Sequence, residues 1–377
     1  MHTTPETLAT LVGFPTISAD KNEALIRYAA ARITEAGGRI HTLAGAKPGK
    51  FNLLASFGPA TGAGLVLSGH SDVVPVAGQD WRTDPFTLTQ RGNKLYARGS
   101  SDMKGFLSAM LTAAERCDIK KLSRPLHLAF SYDEEVGCIG VRDLLARLQA
   151  ENFRAQGCVI GEPTEMRVAT GHKGKLAGCI CCRGLPAHSA NPTLGCNAIH
   201  LAAAMVREAE ALQTWLAEHG ARDAAYPLPY SSVHIGTISG GTALNIVPEA
   251  CEMQFEIRSL AADDPAALVE RLREAAARIV AASGKGAIEV QVTNQYPGLN
   301  TPPNSPLAQT ALLAAGTKIG KIGFGTEGGL FEEMLGLPTI ICGPGSIDRA
   351  HKPDEYVTTS ELAACDAFLD RMVATLA

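Results

Sequence analysis

The chain has 377 residues, of which 46% are hydrophobic and 19% charged, with a formal net charge of −4. That composition can bury a large core, excludes intrinsic disorder, and at this length fits about two domains. No basic stripe offers itself to nucleic acid, and no apolar run approaches the ~18 residues a membrane span needs.

The first twenty residues, MHTTPETLATLVGFPTISAD, lack a basic start followed by an apolar core and a small-residue cleavage site. The reading is no secretory leader and a cytoplasmic location. In chain order, residues 22–36 place Ala24, Leu25, Tyr28, Ala29 and Ile33 at helical spacing and stop at Gly37-Gly38. Residues 51–57 and 64–68 read as short buried strands, 105–117 as a helix, 126–132 as a strand, 140–150 as a helix, and 158–160 as a strand ending at Gly161. Alternating strands and helices predict an α/β layer with a mainly parallel central sheet. From about Leu176 the order becomes strand 176–182, helix 198–216, strands 231–239 and 250–258, helix 265–283 and strand 287–292. That is the split βαβ layout of a ferredoxin-like domain. The α/β pattern then returns, with helix 305–315, strand 338–342 and helix 360–377. The expected architecture is an α/β domain over 1–175 and 290–377, interrupted by an inserted α+β domain over 176–289.

The ten cysteines are scattered and mostly flanked by apolar residues, as buried free thiols are. Cys179, Cys181 and Cys182 form the one cluster; a zinc site would want paired CxxC-like spacings, which are missing, so these too read as packed thiols.

Five segments put acidic or imidazole side chains at strand ends or in the loops that follow: Ser68-Gly69-His70-Ser71-Asp72, Gly99-Ser100-Ser101-Asp102-Met103-Lys104-Gly105, Asp133-Glu134-Glu135-Val136-Gly137, Gly161-Glu162-Pro163-Thr164 and Ala350-His351-Lys352-Pro353-Asp354-Glu355. Singly, each has an ordinary structural reading. Together they matter because ligands of a parallel sheet bind beyond the carboxyl ends of its strands. Histidine and carboxylate donors suit zinc or a similar divalent ion, and two such ions can polarise a carbonyl and activate a water.

In this order the five segments resemble the M20 family of metallopeptidases and deacylases, over nearly the whole chain. The resemblance implies two divalent ions, zinc or alternatively cobalt, with His70 on one, His351 on the other, Asp102 bridging, and Glu135 and Glu162 completing the two spheres. It implies that Asp72 hydrogen-bonds the far nitrogen of His70 and that the Asp102-Met103 peptide is cis. Glu134 is expected to be the general base for attack by metal-bound hydroxide, returning the proton to the leaving amine. In the insertion, Gly184-Leu185-Pro186-Ala187-His188-Ser189 is similar to the family segment whose histidine stabilises the oxyanion, supplied by the partner subunit in dimeric members. Asn245, in Gly240–Pro248, and Arg258 are expected to touch substrate, Arg258 through a carboxylate.

Gly171–Gly174, Gly325–Gly329 and Gly343–Tyr356 lean the resemblance towards the family's acetylornithine branch. On that reading Glu327 faces the cationic side chain of the substrate. The expected reaction is removal of the acetyl group from N2-acetyl-L-ornithine, a step of arginine biosynthesis, by a homodimer whose partner is a small N-acyl amino acid. The alternatives are another member of the family, a succinyl-diaminopimelate desuccinylase or a broad aminoacylase, and a binding protein that has lost its chemistry.

Overall fold

A computed structural model describes residues 2–18 and 20–377. The chain divides into two units: the described residues up to His172 with Leu299–Ile322 and Thr326–Ala377, and Lys173–Gly298 with Gly323–Gly325.

The first unit is built on one large sheet, with strand order Arg39–Ala44, Phe51–Phe57, Leu126–Ser131, Gly64–His70, Ala155–Pro163, Thr339–Gly343, Val168–His172 and Leu299–Asn300. Ile319–Ile322 adds to Val168–His172. The four middle strands, from Leu126–Ser131 to Thr339–Gly343, run parallel, and the flanking pairs are mostly antiparallel. Gly64–His70, Leu126–Ser131 and Thr339–Gly343 are buried along their whole length. Burial without alternation means cover on both faces, which is why these strands read in sequence as unbroken apolar runs. The helix Lys104–Arg116 is buried from Lys104 to Ala114. A Cβ on Gly161 would lie 1.8 Å from Cγ of Phe106, so only glycine lets this helix seat against the strand below.

The structure departs from the sequence reading in several places. The strand expected to end at Gly161 continues through Glu162 to Pro163, because its ladder to Thr339–Gly343 carries on past the glycine. The strand expected to end at Val292 runs to Tyr296 across a bulge, so a boundary at 289 cuts through it; Thr293, Asn294 and Gln295 hid it by breaking the apolar pattern. The helix Thr4–Val12 was not foreseen, although Thr3 and Glu6 form a capping box whose spacing is legible in sequence.

The second unit has a four-stranded antiparallel sheet in the order Ser232–Gly240, Ala250–Ser259, Gly174–Arg183, Ala287–Tyr296. Numbered by position in the chain this is 2-3-1-4, with the helices Ala198–His219 and Pro265–Ser283 as the two crossovers, the ferredoxin-like arrangement. Ile180, Cys182, Met253, Phe255 and Ile257 from the sheet pack with Met205, Leu216 and Leu272 from the helices. No described helix is long and apolar enough to cross a membrane.

Candidate metal centre

The parallel strands of the first unit bring their carboxyl ends together, and the acidic segments follow from there. His70 is the last residue of Gly64–His70; Glu134 and Glu135 follow Leu126–Ser131; Glu162 is the residue before the end of Ala155–Pro163; His351 follows Thr339–Gly343. Asp102 stands two residues before the buried helix, and its peptide to Met103, the helix N-cap, is cis.

Asp102 stands between the two imidazoles. Its Oδ1 lies 3.1 Å from Nε2 of His70, and its Oδ2 lies 3.2 Å from Nε2 of His351. The His70 nitrogen is also 3.5 Å from Oε1 of Glu162, and the His351 nitrogen is 3.0 Å from Oε2 of Glu135. His70, Asp102 and Glu135 bring one donor atom each within 4.8 Å of one another, as do His70, Glu134 and Glu162. His70 is sealed from solvent, while the His351 side chain is 47% exposed.

The donor set is short of positive charge. Burial pushes the Glu134 and Glu162 carboxyls well above the usual carboxylate range and raises Glu135 to about 7. Burial acts the same way on Asp102, but hydrogen bonds from His351 and His70 outweigh it and hold that carboxyl far down. Burial works against a charged His70, yet hydrogen bonds to Asp102 and Asp72 keep its imidazole well above the ordinary range. Hydrogen bonds to Asp102 and Glu135 lift His351 to about 10. Buried acids forced to hold protons, with imidazoles between them, are what a dication relieves; imidazole and carboxylate donors are those zinc-class ions take.

Asp72 departs in detail from its expected contact. The short partner of Nδ1 of His70 is the main-chain oxygen of Asp72, at 2.9 Å, and the Asp72 carboxylate stands 3.5 Å away. That carboxylate instead accepts from the amides of Glu134 (3.1 Å) and Glu135 (3.4 Å) and from the Ser18 hydroxyl (2.8 Å). One residue therefore sets both the imidazole tautomer and the path of the Glu134-Glu135 segment.

Several supporting side chains were missed in the sequence. Glu355 accepts the amides of Ser101 (2.8 Å) and Asp102 (3.0 Å) on one oxygen and Arg98 (2.6 Å) on the other. Lys50 pairs with Asp133 at 2.6 Å and also donates to the Ser18 carbonyl. Both pairs are buried. Asp133 (φ 53°) and His351 (φ 62°) occupy the left-handed region, which Asp and His tolerate better than most residues. Glu355 sits inside a segment the sequence reading quoted, but its partner Arg98 is 257 residues away, and no local spacing signals such a pair.

Glu327 precedes the helix Gly328–Leu335 and is 1% exposed. Burial raises its carboxyl to about 7, opposed in part by the nearby Ser131 hydroxyl. Glu327 is close enough to Glu134 to push that carboxyl up as well. The sequence reading set Glu327 against a ligand's cation; the side chain is enclosed in the first unit rather than open.

His188, Asn245 and Arg258 belong to the second unit. His188 bridges to Ile246, and the Ser189 amide donates to the Asn245 carbonyl, so His188 and Asn245 share one exposed loop pair. Arg258 is held by Glu256 through two contacts, at 3.0 and 3.3 Å, a partner the sequence reading did not name.

Comparison with known proteins agrees with this geometry. The model of peptidase family M20/M25/M40 matches residues 66–375. The chain is 33% identical over 371 residues to acetylornithine deacetylase of Edwardsiella ictaluri, covering 96% of this chain and 95% of the relative. It is 35% identical to acetylornithine deacetylase of Klebsiella pneumoniae, covering 93% and 91%. Among solved structures, an M20 family metallo-carboxypeptidase from Sulfolobus solfataricus superposes with a TM-score of 0.81 at 19% identity, covering 100% of this chain and 99% of that one. A dinuclear metal-binding peptidase of the M20 family from Bacillus subtilis gives 0.70 at 16% identity, covering 99% and 97%. With the family model spanning most of its length, this chain belongs to peptidase family M20/M25/M40 and is a hydrolase.

Proposed function

We propose that the protein removes the acetyl group from N2-acetyl-L-ornithine, giving ornithine and acetate. The observation that carries an amide hydrolysis of this kind is Asp102, whose two oxygens each face a different imidazole at 3.1 and 3.2 Å. His70 with Glu162 would hold one ion and His351 with Glu135 the other, with Asp102 shared between them. Zinc is the proposed metal and cobalt its substitute. When bound, two such ions supply Lewis acidity that polarises the acyl carbonyl and activates a water.

The remaining work falls to the chain's own groups. Glu134 takes the proton of the attacking water and hands it to the leaving amine nitrogen, so the amide bond breaks as a free amine forms. Asp72 holds Glu134 and Glu135 by their amides and keeps His70 in the tautomer that presents Nε2 to the site. Glu355, anchored by Arg98, fixes the Ser101 and Asp102 amides and with them the bridging carboxylate. His188 is proposed to donate to the developing oxyanion, from the partner subunit of a homodimer. Asn245 and Arg258 are proposed to position the substrate, its carboxylate displacing Glu256 from Arg258.

The choice of acetylornithine is supported by the curated relatives of that name at 33–35% identity, and it brings with it a cytoplasmic place in arginine biosynthesis. The buried Glu327 carboxylate is proposed as a counter-charge for the substrate ammonium. Hydrolysis of N-acetylornithine should fall to background with a chelator, return on adding zinc or cobalt, and be lost in Glu134→Ala. Faster turnover of succinylated diaminopimelate or of acetylmethionine would move the protein to another branch of the family. Glu327→Gln should impair acetylornithine more than acetylmethionine; equal losses remove the pairing.

A further inference from the structure

We propose that Cys179, Cys181 and Glu252 form a separate metal site, for one thiophilic divalent ion of the zinc class, on the face of the second unit's sheet that its two helices leave uncovered. Strand periodicity puts Cys179 and Cys181 on the same face, opposite to Ile180 and Cys182, which enter the core. Their sulfurs are 3.3 Å apart. In the ladder, Cys181 lies between Glu252 on one side and Glu289 on the other, and Cys179 lies between Gln254 and Gln291. The two sulfurs and a Glu252 oxygen fall within 4.8 Å of one another.

Cys179 is buried and Cys181 partly so, yet neither joins the core on the helix side of the sheet. Cys182 and Cys251 are the core cysteines of this sheet; Cys179 and Cys181 sit instead among glutamate and glutamine. A tetrahedral ion at ~2.3 Å from each sulfur separates the pair by about 3.8 Å, so the strand needs only a small side-chain opening to accept one. A disulfide is the poorer solution: residues two apart on one strand have Cα atoms roughly 6.6–6.8 Å apart, at the far limit for a bridge, with parallel rather than converging Cβ bonds. Access is available, since Cys181, Glu252 and Gln254 line a cavity of about 710 Å³ with Thr237 and Ser239 from the neighbouring strand. Glu289, exposed in the same row, or a water can take the fourth position. Binding through both sulfurs as thiolates breaks two S–H bonds, forms two metal–sulfur bonds and releases two protons to solvent.

Cobalt(II) added to the reduced full-length protein tests this directly. The candidate centre of the first unit offers nitrogen and oxygen donors only, so thiolate-to-cobalt charge-transfer absorption in the near ultraviolet reports the cysteine site by itself. The expected result is a band that grows to one equivalent beyond those bound without it, with two protons released per ion in weak buffer. Cys179→Ser and Cys181→Ser should each abolish the band, and Glu252→Gln should weaken cobalt binding there at least ~10-fold. All three variants should keep wild-type amide hydrolysis. The proposal is overturned if no band appears at cobalt concentrations that saturate activity, if the band survives both serine variants, or if the two thiols pair as a disulfide that leaves cobalt uptake unchanged after reduction. Unchanged affinity in Glu252→Gln overturns the carboxylate's part in it.

Discussion

In the first unit, Gly64–His70, Leu126–Ser131 and Thr339–Gly343 are buried at every position, while in the second, Ala250–Ser259 alternates buried Cys251, Met253, Phe255 and Ile257 with residues that face away. A parallel sheet covered on both faces has no open surface on which to display polar chemistry, so its functional groups gather past the strand ends. An antiparallel sheet covered on one face can carry them along the open side of its strands. His70, Glu134, Glu135, Glu162 and His351 follow the first rule, and Cys179, Cys181 and Glu252 the second.

The largest expected effect isolates the chemistry at the strand ends. Glu134→Gln should lower kcat by ~10²–10⁴ while metal content, measured by mass spectrometry, stays at the wild-type level. Loss of metal together with activity would make Glu134 a ligand instead of a base.

Core truncation compares the two units next. Phe106→Ala and Phe255→Ala each should cost roughly 3–5 kcal/mol in denaturant unfolding. Only Phe106→Ala, which removes the ring seated over Gly161, should also lower metal affinity at the first unit's centre. Equal metal loss in both would dissolve the distinction between the units.

The amino end of a parallel strand offers a control. Burial, helped by Arg39, lowers His127 to about 4, and its Nε2 has no hydrogen-bond partner. The unfolded chain, with an ordinary histidine, binds that proton more readily. The folded state therefore has this contribution in full above about pH 6.5 and loses it as the pH falls towards 4, by roughly 3 kcal/mol. Chemical denaturation from pH 4 to 7 should show a shallower slope in His127→Gln; an unchanged slope counts against it.

Asp72→Asn should weaken metal binding ~10–100-fold, since it disturbs the tether of Glu134 and Glu135 without removing a donor. Competition with a chromophoric chelator reads this, and wild-type affinity would reduce Asp72 to a packing role. Smallest is Thr3→Ala, which opens the first capping box and should cost about 1 kcal/mol in thermal or denaturant unfolding, with no change in metal binding at either unit.

The α/β layer and the ferredoxin-like insertion were legible in sequence because period and strand–helix order are local properties. So were the five acidic segments, each a few residues long and next to an apolar run. Glu355 with Arg98, Lys50 with Asp133, and the choice of the Asp72 main chain over its carboxylate as the short partner of His70 were not, because each depends on groups that only folding brings within hydrogen-bond reach. The company of the cysteine pair was hidden for the same reason. Spacing along one strand shows Cys179 and Cys181 sharing a face, but Glu252 joins them through cross-strand register. The amino-acid order thus determined which residues carry chemistry and on which elements. The tertiary structure alone decided which partners they meet, because strand register and crossover packing join segments that no local pattern connects.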